Sequence, residues 1–185
     1  GTAFPTCTDT AYTIKFNANG GSGTMSPQQR GLNDTATLTP NAFTKTGYHF
    51  VGWAISATGN VLYADRYQGS LFTHADSNFI VNLYAKWEAN IFTVRYYADG
   101  GSGNGPAVQT CVYDQDCIAQ ANTFTRGGYT FNGWMCTGGG TLCNRTPVAA
   151  GNNIKNATSA HAGTVLLSAQ WQPISYTVTY KCGGG

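Results

Sequence analysis

Tyr12-Thr-Ile-Lys-Phe-Asn-Ala-Asn-Gly-Gly-Ser-Gly23 decides how the rest of the chain is read. It returns as Phe92-Thr-Val-Arg-Tyr-Tyr-Ala-Asp-Gly-Gly-Ser-Gly103 and begins again as Tyr176-Thr-Val-Thr-Tyr-Lys-Cys-Gly-Gly-Gly185. Recurrence after 80 and then 84 residues marks a repeat architecture. Two further stretches recur in the same order: Asn41-Ala-Phe-Thr-Lys-Thr-Gly-Tyr-His-Phe-Val-Gly-Trp53 matches Asn122-Thr-Phe-Thr-Arg-Gly-Gly-Tyr-Thr-Phe-Asn-Gly-Trp134, and Leu83-Tyr-Ala-Lys-Trp87 matches Leu167-Ser-Ala-Gln-Trp171. The chain therefore divides into a leader or linker at 1–11, repeat module 1 at 12–88, repeat module 2 at 92–172, and the first strand of a truncated module 3 at 176–185.

Three segments of each module alternate with period two, the pattern of a strand with one face buried and the other wet. Tyr12, Ile14 and Phe16 share a face, as do Phe92, Val94 and Tyr96. Leu83 and Trp87 share another with Ala85 between them, as do Leu167 and Trp171 with Ala169. Tyr48 and Phe50, and their counterparts Tyr129 and Phe131, supply the middle strand. There Gly52 marks a bulge or a close backbone approach, and simple alternation sends Trp53 and Trp134 to the opposite face. All of these side chains are read as repeat core. Asn19-Gly20 and Asp99-Gly100 supply the positive φ angles of tight reversals. Helical signal is confined to 67–75 and 152–162, both poor in strong helix formers, so at most one short helix per module is expected. Four residues between Trp87 and Phe92 are too few for a floppy tether, which points to a semi-stiff rod.

The Gly-Gly-Ser-Gly, Phe-Thr-x-x-Gly-Tyr-x-Phe-x-Gly-Trp and Leu-x-Ala-x-Trp motifs together resemble the Listeria/Bacteroides repeats, the group that includes the internalin B repeats. The resemblance covers both modules and the opening of the third. It implies a mainly β, α+β fold built of small β-grasp-like, ubiquitin-like modules, and it implies stalk, spacer or adhesion segments of secreted or wall-anchored bacterial proteins. It implies no catalytic residue and no cofactor.

Composition agrees with an extracellular β protein. Of 185 residues, 10% are charged, 13% are aromatic and 24 are glycine, against roughly 25% charged in an average soluble domain. A net charge of +2, with ten Lys and Arg scattered singly, supplies no basic stripe for nucleic acid. No stretch approaches the ~18 apolar residues of a membrane span, and the Gly-Thr-Ala-Phe start lacks the regions of a signal peptide. No membrane insertion is expected in this segment.

The six cysteines are Cys7, Cys111, Cys117, Cys136, Cys143 and Cys182. Four fall in module 2 and permit three pairings. Cys111 with Cys117 and Cys136 with Cys143 is the favoured set, because each pair flanks a turn. At a gapless offset Cys111 and Cys117 replace Arg30 and Ala36, and Cys136 and Cys143 replace the apolar Ile55 and Leu62. Their spacings are not those of zinc ribbons or fingers, and disulfides imply an oxidising compartment. Cys182 stands where Ala18 and Ala98 stand, so its partner is expected in the remainder of module 3. Cys7 pairs upstream or stays free.

Other signals read as ordinary structure. Gly101 to Gly105 follows a strand but opens no helix and lacks the Lys-Ser/Thr of a phosphate loop. Asn17, Asn19 and Asp99 lack the twelve-residue calcium loop. His49, His74 and His161 form no recurring set, and no nucleophile elbow is present. Asn33, Asn144 and Asn156 head chance glycosylation triplets, and Lys15 and Lys86 do not recur as a crosslinking pair. Tyr63, Tyr67, Tyr97 and Tyr113 lie outside the alternating core. Of these, Tyr97 and Tyr113 are candidates for a binding surface facing a host protein, a glycan or another copy of the chain. The strand at 176–180 has an apolar face that requires cover, expected from residues beyond this chain.

Overall fold

The computed structural model describes residues 11–143 and 147–183. Cys7, nearly all of the 1–11 segment and the Asn144-Arg-Thr146 triplet lie outside them. The chain divides into two compact units, Gly1–Ala89 and Asn90–Gly185, each described by itself.

Unit 1 contains β1 (Tyr12–Asn17), β2 (Gln28–Arg30), β3 (Tyr48–Ala54) and β4 (Ile80–Ala89) in the sheet order β2-β1-β4-β3. The first and last strands are the central neighbours and run parallel, from Thr13 opposite Ile80 to Asn17 opposite Tyr84. β2 and β3 flank them antiparallel. Unit 2 repeats the plan with β5 (Ile91–Tyr97), β6 (Gln109–Val112), β7 (Tyr129–Gly138) and β8 (Gly163–Pro173), ordered β6-β5-β8-β7. The fold is thus mainly β, two four-stranded mixed sheets in tandem. Only Asn90 stands between β4 and β5, because both strands run past the ends that alternation alone suggests.

The expectation of at most one short helix per module holds, and the cover of each sheet is irregular. Among the described residues, the one helical element is a 3-10 turn at Phe72–His74. Leu38, Phe43 and Leu71 descend from loops onto β1 and β4, and Ala119, Ile154 and Ala157 do the same in unit 2. Buried irregular backbone must find hydrogen-bond partners, and strand tyrosines supply two of them. In unit 1 the Leu71 N–H donates to the Tyr12 hydroxyl at 3.0 Å. In unit 2 the Gln120 N–H donates to the Tyr96 hydroxyl at 3.0 Å.

The tryptophans correct the face assignment. The register slips between Phe50 and Gly52 and again between Phe131 and Trp134, so one extra residue returns Trp53 and Trp134 to the core side. Both are fully buried. Trp53 lies 4.9 Å from Phe50, 5.1 Å from Phe16 and 6.2 Å from Phe43 between ring centroids. Trp134 lies 4.9 Å from Phe131, 4.8 Å from Tyr96 and 6.3 Å from Phe124. Gly52 permits the bulge: its φ is +142°, and a Cβ there would sit 2.7 Å from the Tyr63 carbonyl oxygen. Tyr48 and Tyr129 belong to the rim rather than the core, lying under Lys45 at 4.3 Å and Arg126 at 4.0 Å.

The opening segment of the third repeat joins neither sheet. Its counterparts β1 and β5 each have two neighbouring strands, and residues 176–180 have none among the described residues. Tyr176, Val178 and Tyr180 are 77%, 69% and 88% exposed.

Candidate functional site

The three recurring motifs meet at one end of each sheet. Asn19 and Gly20, with φ of +48° and +85°, form a reversal closed by the Gly21 N–H donating to the Ala18 carbonyl at 2.9 Å, the type I′ geometry that Asn-Gly favours. The same Ala18 carbonyl accepts the indole N–H of Trp87 at 2.9 Å. A Cβ on Gly21 would meet the Trp87 ring at 2.7 Å and the Thr44 carbonyl at 2.9 Å, so the second glycine lets the turn lie flat on the indole. Ser22 and Thr44 then exchange two backbone hydrogen bonds. Unit 2 repeats each contact: Trp171 donates to Ala98 at 2.7 Å, a Cβ on Gly101 would meet the Trp171 ring at 2.6 Å, and Ser102 pairs with Thr125. The half-buried Trp87 and Trp171 are therefore tethers between the first turn and the last strand. The signature residues gathered at this end close the fold.

The two modules differ most where module 2 gains sulfur. In module 1 the buried Arg30, at the end of β2, holds the following loop: Nη2 donates to the carbonyls of Asp34 at 2.7 Å and Gly69 at 3.0 Å, and Nε lies 3.3 Å from an Asp34 carboxylate oxygen. In module 2 the position of Arg30 is Cys111 on β6, bonded to Cys117 across a sequence separation of six. A charged clasp and a covalent one close the same loop. The Cys111–Cys117 and Cys136–Cys143 bonds are both present. Cys143, however, is not the counterpart of Leu62. Trp53 bridges Tyr63 and Trp134 bridges Val148, so the second loop, which contains Cys143, is four residues longer. Ile55 and Leu62 are 41% and 52% exposed, not a core pair that sulfur replaced. Cys182 is exposed and unbonded.

Tyr97 and Tyr113 do not share a patch. Tyr97 ends β5 on its outer side, 46% exposed, whereas the N–H of Tyr113 donates to the Asn90 carbonyl at the start of that strand. Six strand residues, roughly 20 Å, separate the two ends. Tyr63 and Tyr67 pack together at 4.7 Å against the module 1 core. Burial, with the nearby Tyr67 and Tyr12 phenols, pushes the Tyr63 pKa up. Burial likewise raises that of Tyr96, opposed by the hydrogen bond from the Gln120 N–H. Both stay neutral phenols at physiological pH. The histidines are dispersed: His49 on β3 lies 3.6 Å from Glu88, His74 meets the Tyr63 hydroxyl, and His161 falls in the turn before β8. Among the described residues no three His, Cys, Asp or Glu side chains are grouped to hold a metal ion. A shallow open groove in module 2 is lined by Phe131, Asn132, Gly133, Pro147, Ala149 and Ala150, with no charged side chain.

The Listeria-Bacteroides repeat domain model matches residues 12–86 and 92–158. Two curated proteins of Evansella cellulosilytica are similar over 94% of this chain. One, called "Putative Gly-rich membrane protein", is 26% identical, and the other, called "Putative membrane protein", is 34% identical. The chain spans 18% and 23% of their respective lengths. No solved structure matches. Among the described residues no helix is long and apolar enough to cross a membrane.

Proposed function

The chain belongs to the Listeria-Bacteroides repeat family, and from that premise we propose that it is a non-catalytic spacer or stalk segment of a bacterial surface protein, exposed outside the cell. One observation carries the reading: the residues that define the repeat are spent on closing each sheet. Trp87 and Trp171 hold the first turn, Gly21 and Gly101 lie beneath them, and Trp53 and Trp134 fill the interior. The membrane-protein names of the two relatives and the two disulfides, which require an oxidising compartment, support an extracellular place.

A second reading, adhesion to a host protein, a glycan or another copy of the chain, has one feature in its favour, the exposed Tyr97 on the outer face of β5. Immobilised full-length chain assayed against glycans and intact cells separates the two. The spacer reading expects no saturable binding and no effect of Tyr97→Ala. Saturable binding lost in Tyr97→Ala would establish the adhesive role instead.

A further inference from the structure

We propose that each module is a tension-bearing link whose strength resides in its central parallel strand pair. The inference rests on the spacer reading and adds what the spacer withstands. A chain pulled from both sides of module 1 is held at the start of β1 and at the end of β4. These strands are immediate parallel neighbours, so the two points of pull lie at opposite ends of one ladder. Force then runs along the strands, and the hydrogen bonds between them are loaded together in shear. Five residue pairs, Thr13 with Ile80 through Asn17 with Tyr84, share the load. In module 2 six pairs do so, from Phe92 with Gly163 through Tyr97 with Ser168.

The remaining architecture supports that ladder. The antiparallel β2 and β3 flank the pair on either side, so neither loaded strand is a sheet edge. The indole of Trp87, on β4, donates to Ala18 just beyond the end of β1, tying the two loaded strands a second time. Trp171 ties β8 to Ala98 in the same way. Neither disulfide joins β5 to β8. Cys111–Cys117 closes the loop after β6, and Cys136–Cys143 closes the loop after β7. The staples therefore leave the load on the hydrogen bonds and limit what is paid out after rupture. Loops with separations of six and seven residues, held at Cα distances of 5.7 and 4.5 Å, hide about 35 Å of extended chain. That shortening identifies the rupture of module 2.

The test is single-molecule pulling of the full chain carrying Cys7→Ser and Cys182→Ser, with one handle at the N-terminus and the second moved between two exposed positions. A handle at Glu88→Cys, at the far end of β4, applies shear. A handle at Ser77→Cys, in the turn before β4 and two residues ahead of Phe79, whose carbonyl accepts the Thr13 N–H, peels the same ladder open from one end. Shear divides the force among the five registered pairs, so rupture at Glu88 is expected at about three to five times the force at Ser77. Equal forces would overturn the proposal. The chain held only by its two ends, which needs neither the Glu88 nor the Ser77 substitution, is expected to give two abrupt ruptures, and gradual low-force extension would equally overturn it. Either failure leaves the spacer reading standing, whereas saturable ligand binding would remove that reading and leave the force anisotropy untouched.

Discussion

Removing the Cys111–Cys117 staple by Cys111→Ala with Cys117→Ala tests the division of labour between the modules. With a sequence separation of six, loop closure in the unfolded chain accounts for about 2 kcal/mol. Loss of two buried sulfur atoms adds up to about 1 kcal/mol. For a unit of this size each kcal/mol moves the midpoint by roughly 4–8 °C, so the module 2 transition is expected to fall by about 10–20 °C. Module 1 closes the same loop with Arg30 and Asp34 and contains none of the four bonded cysteines. Its transition is expected to stay in place. Reducing wild-type chain opens both staples and removes about 4–5 kcal/mol, much of the margin of a small domain. Differential scanning calorimetry of the oxidised, reduced and double-alanine chains reads all three outcomes. A parallel shift of both transitions, or an unmoved module 2, would refute the assignment of the staples to module 2 alone.

Three further outcomes follow from the same geometry. Arg30→Cys with Ala36→Cys transplants the module 2 clasp, and the pair is expected to oxidise and to retain fold stability under non-reducing conditions, whereas Arg30→Ala alone strips the Asp34 and Gly69 carbonyls of their donor and lowers the module 1 midpoint by an amount equivalent to about 1–3 kcal/mol; thiol titration and thermal melts distinguish them. Gly21→Ala pushes a methyl to 2.7 Å from the Trp87 ring and is expected to cost about 1–3 kcal/mol, with a change in indole fluorescence in module 1; an unaltered melt would count against the Trp tether. Tyr63 and Tyr96 have raised pKa values in the folded state, so the unfolded chain loses these protons first as pH rises. Their contribution is complete below the ordinary phenol range and is lost through and above it; melting midpoints are expected to decline there, and a flat alkaline profile would contradict the burial of these hydroxyls.

Strand faces were legible because burial on one side of a sheet imposes a period of two on β1, β4, β5 and β8, with Ile14, Leu83, Val94 and Leu167 fully buried. The Asn19-Gly20 and Asp99-Gly100 reversals were legible because few residues other than Gly, Asn and Asp tolerate positive φ. The position of Trp53 was not. A bulge changes which face a residue occupies without changing its spacing: Gly52 marks where one can form, and the register slip between Phe50 and Gly52 decides the face of Trp53. The loop cover of each sheet was not legible either: Leu38 and Leu71 reach the core from loops held by individual hydrogen bonds such as that to Tyr12, which leave no periodic trace. Burial of Arg30 was hidden because its partners Asp34 and Gly69 include one 39 positions away. The four-residue extension before Val148 lies where the modules share no motif, so a gapless offset pairs Cys143 with Leu62. On the functional side, the signature residues were visible as a pattern, but their joint use as a tether between the first turn and the last strand emerges only when Ala18 and Trp87, 69 positions apart, are seen to share a hydrogen bond.

Each repeat encloses its own aromatic interior. Residues 11–89 and 90–183, produced as separate polypeptides, test this most directly by amide correlation spectra recorded beside that of the intact chain. Two dispersed spectra that together reproduce the peaks of the whole molecule, apart from those of residues at the junction, are the predicted result. Collapsed, undispersed spectra from either half would contradict it.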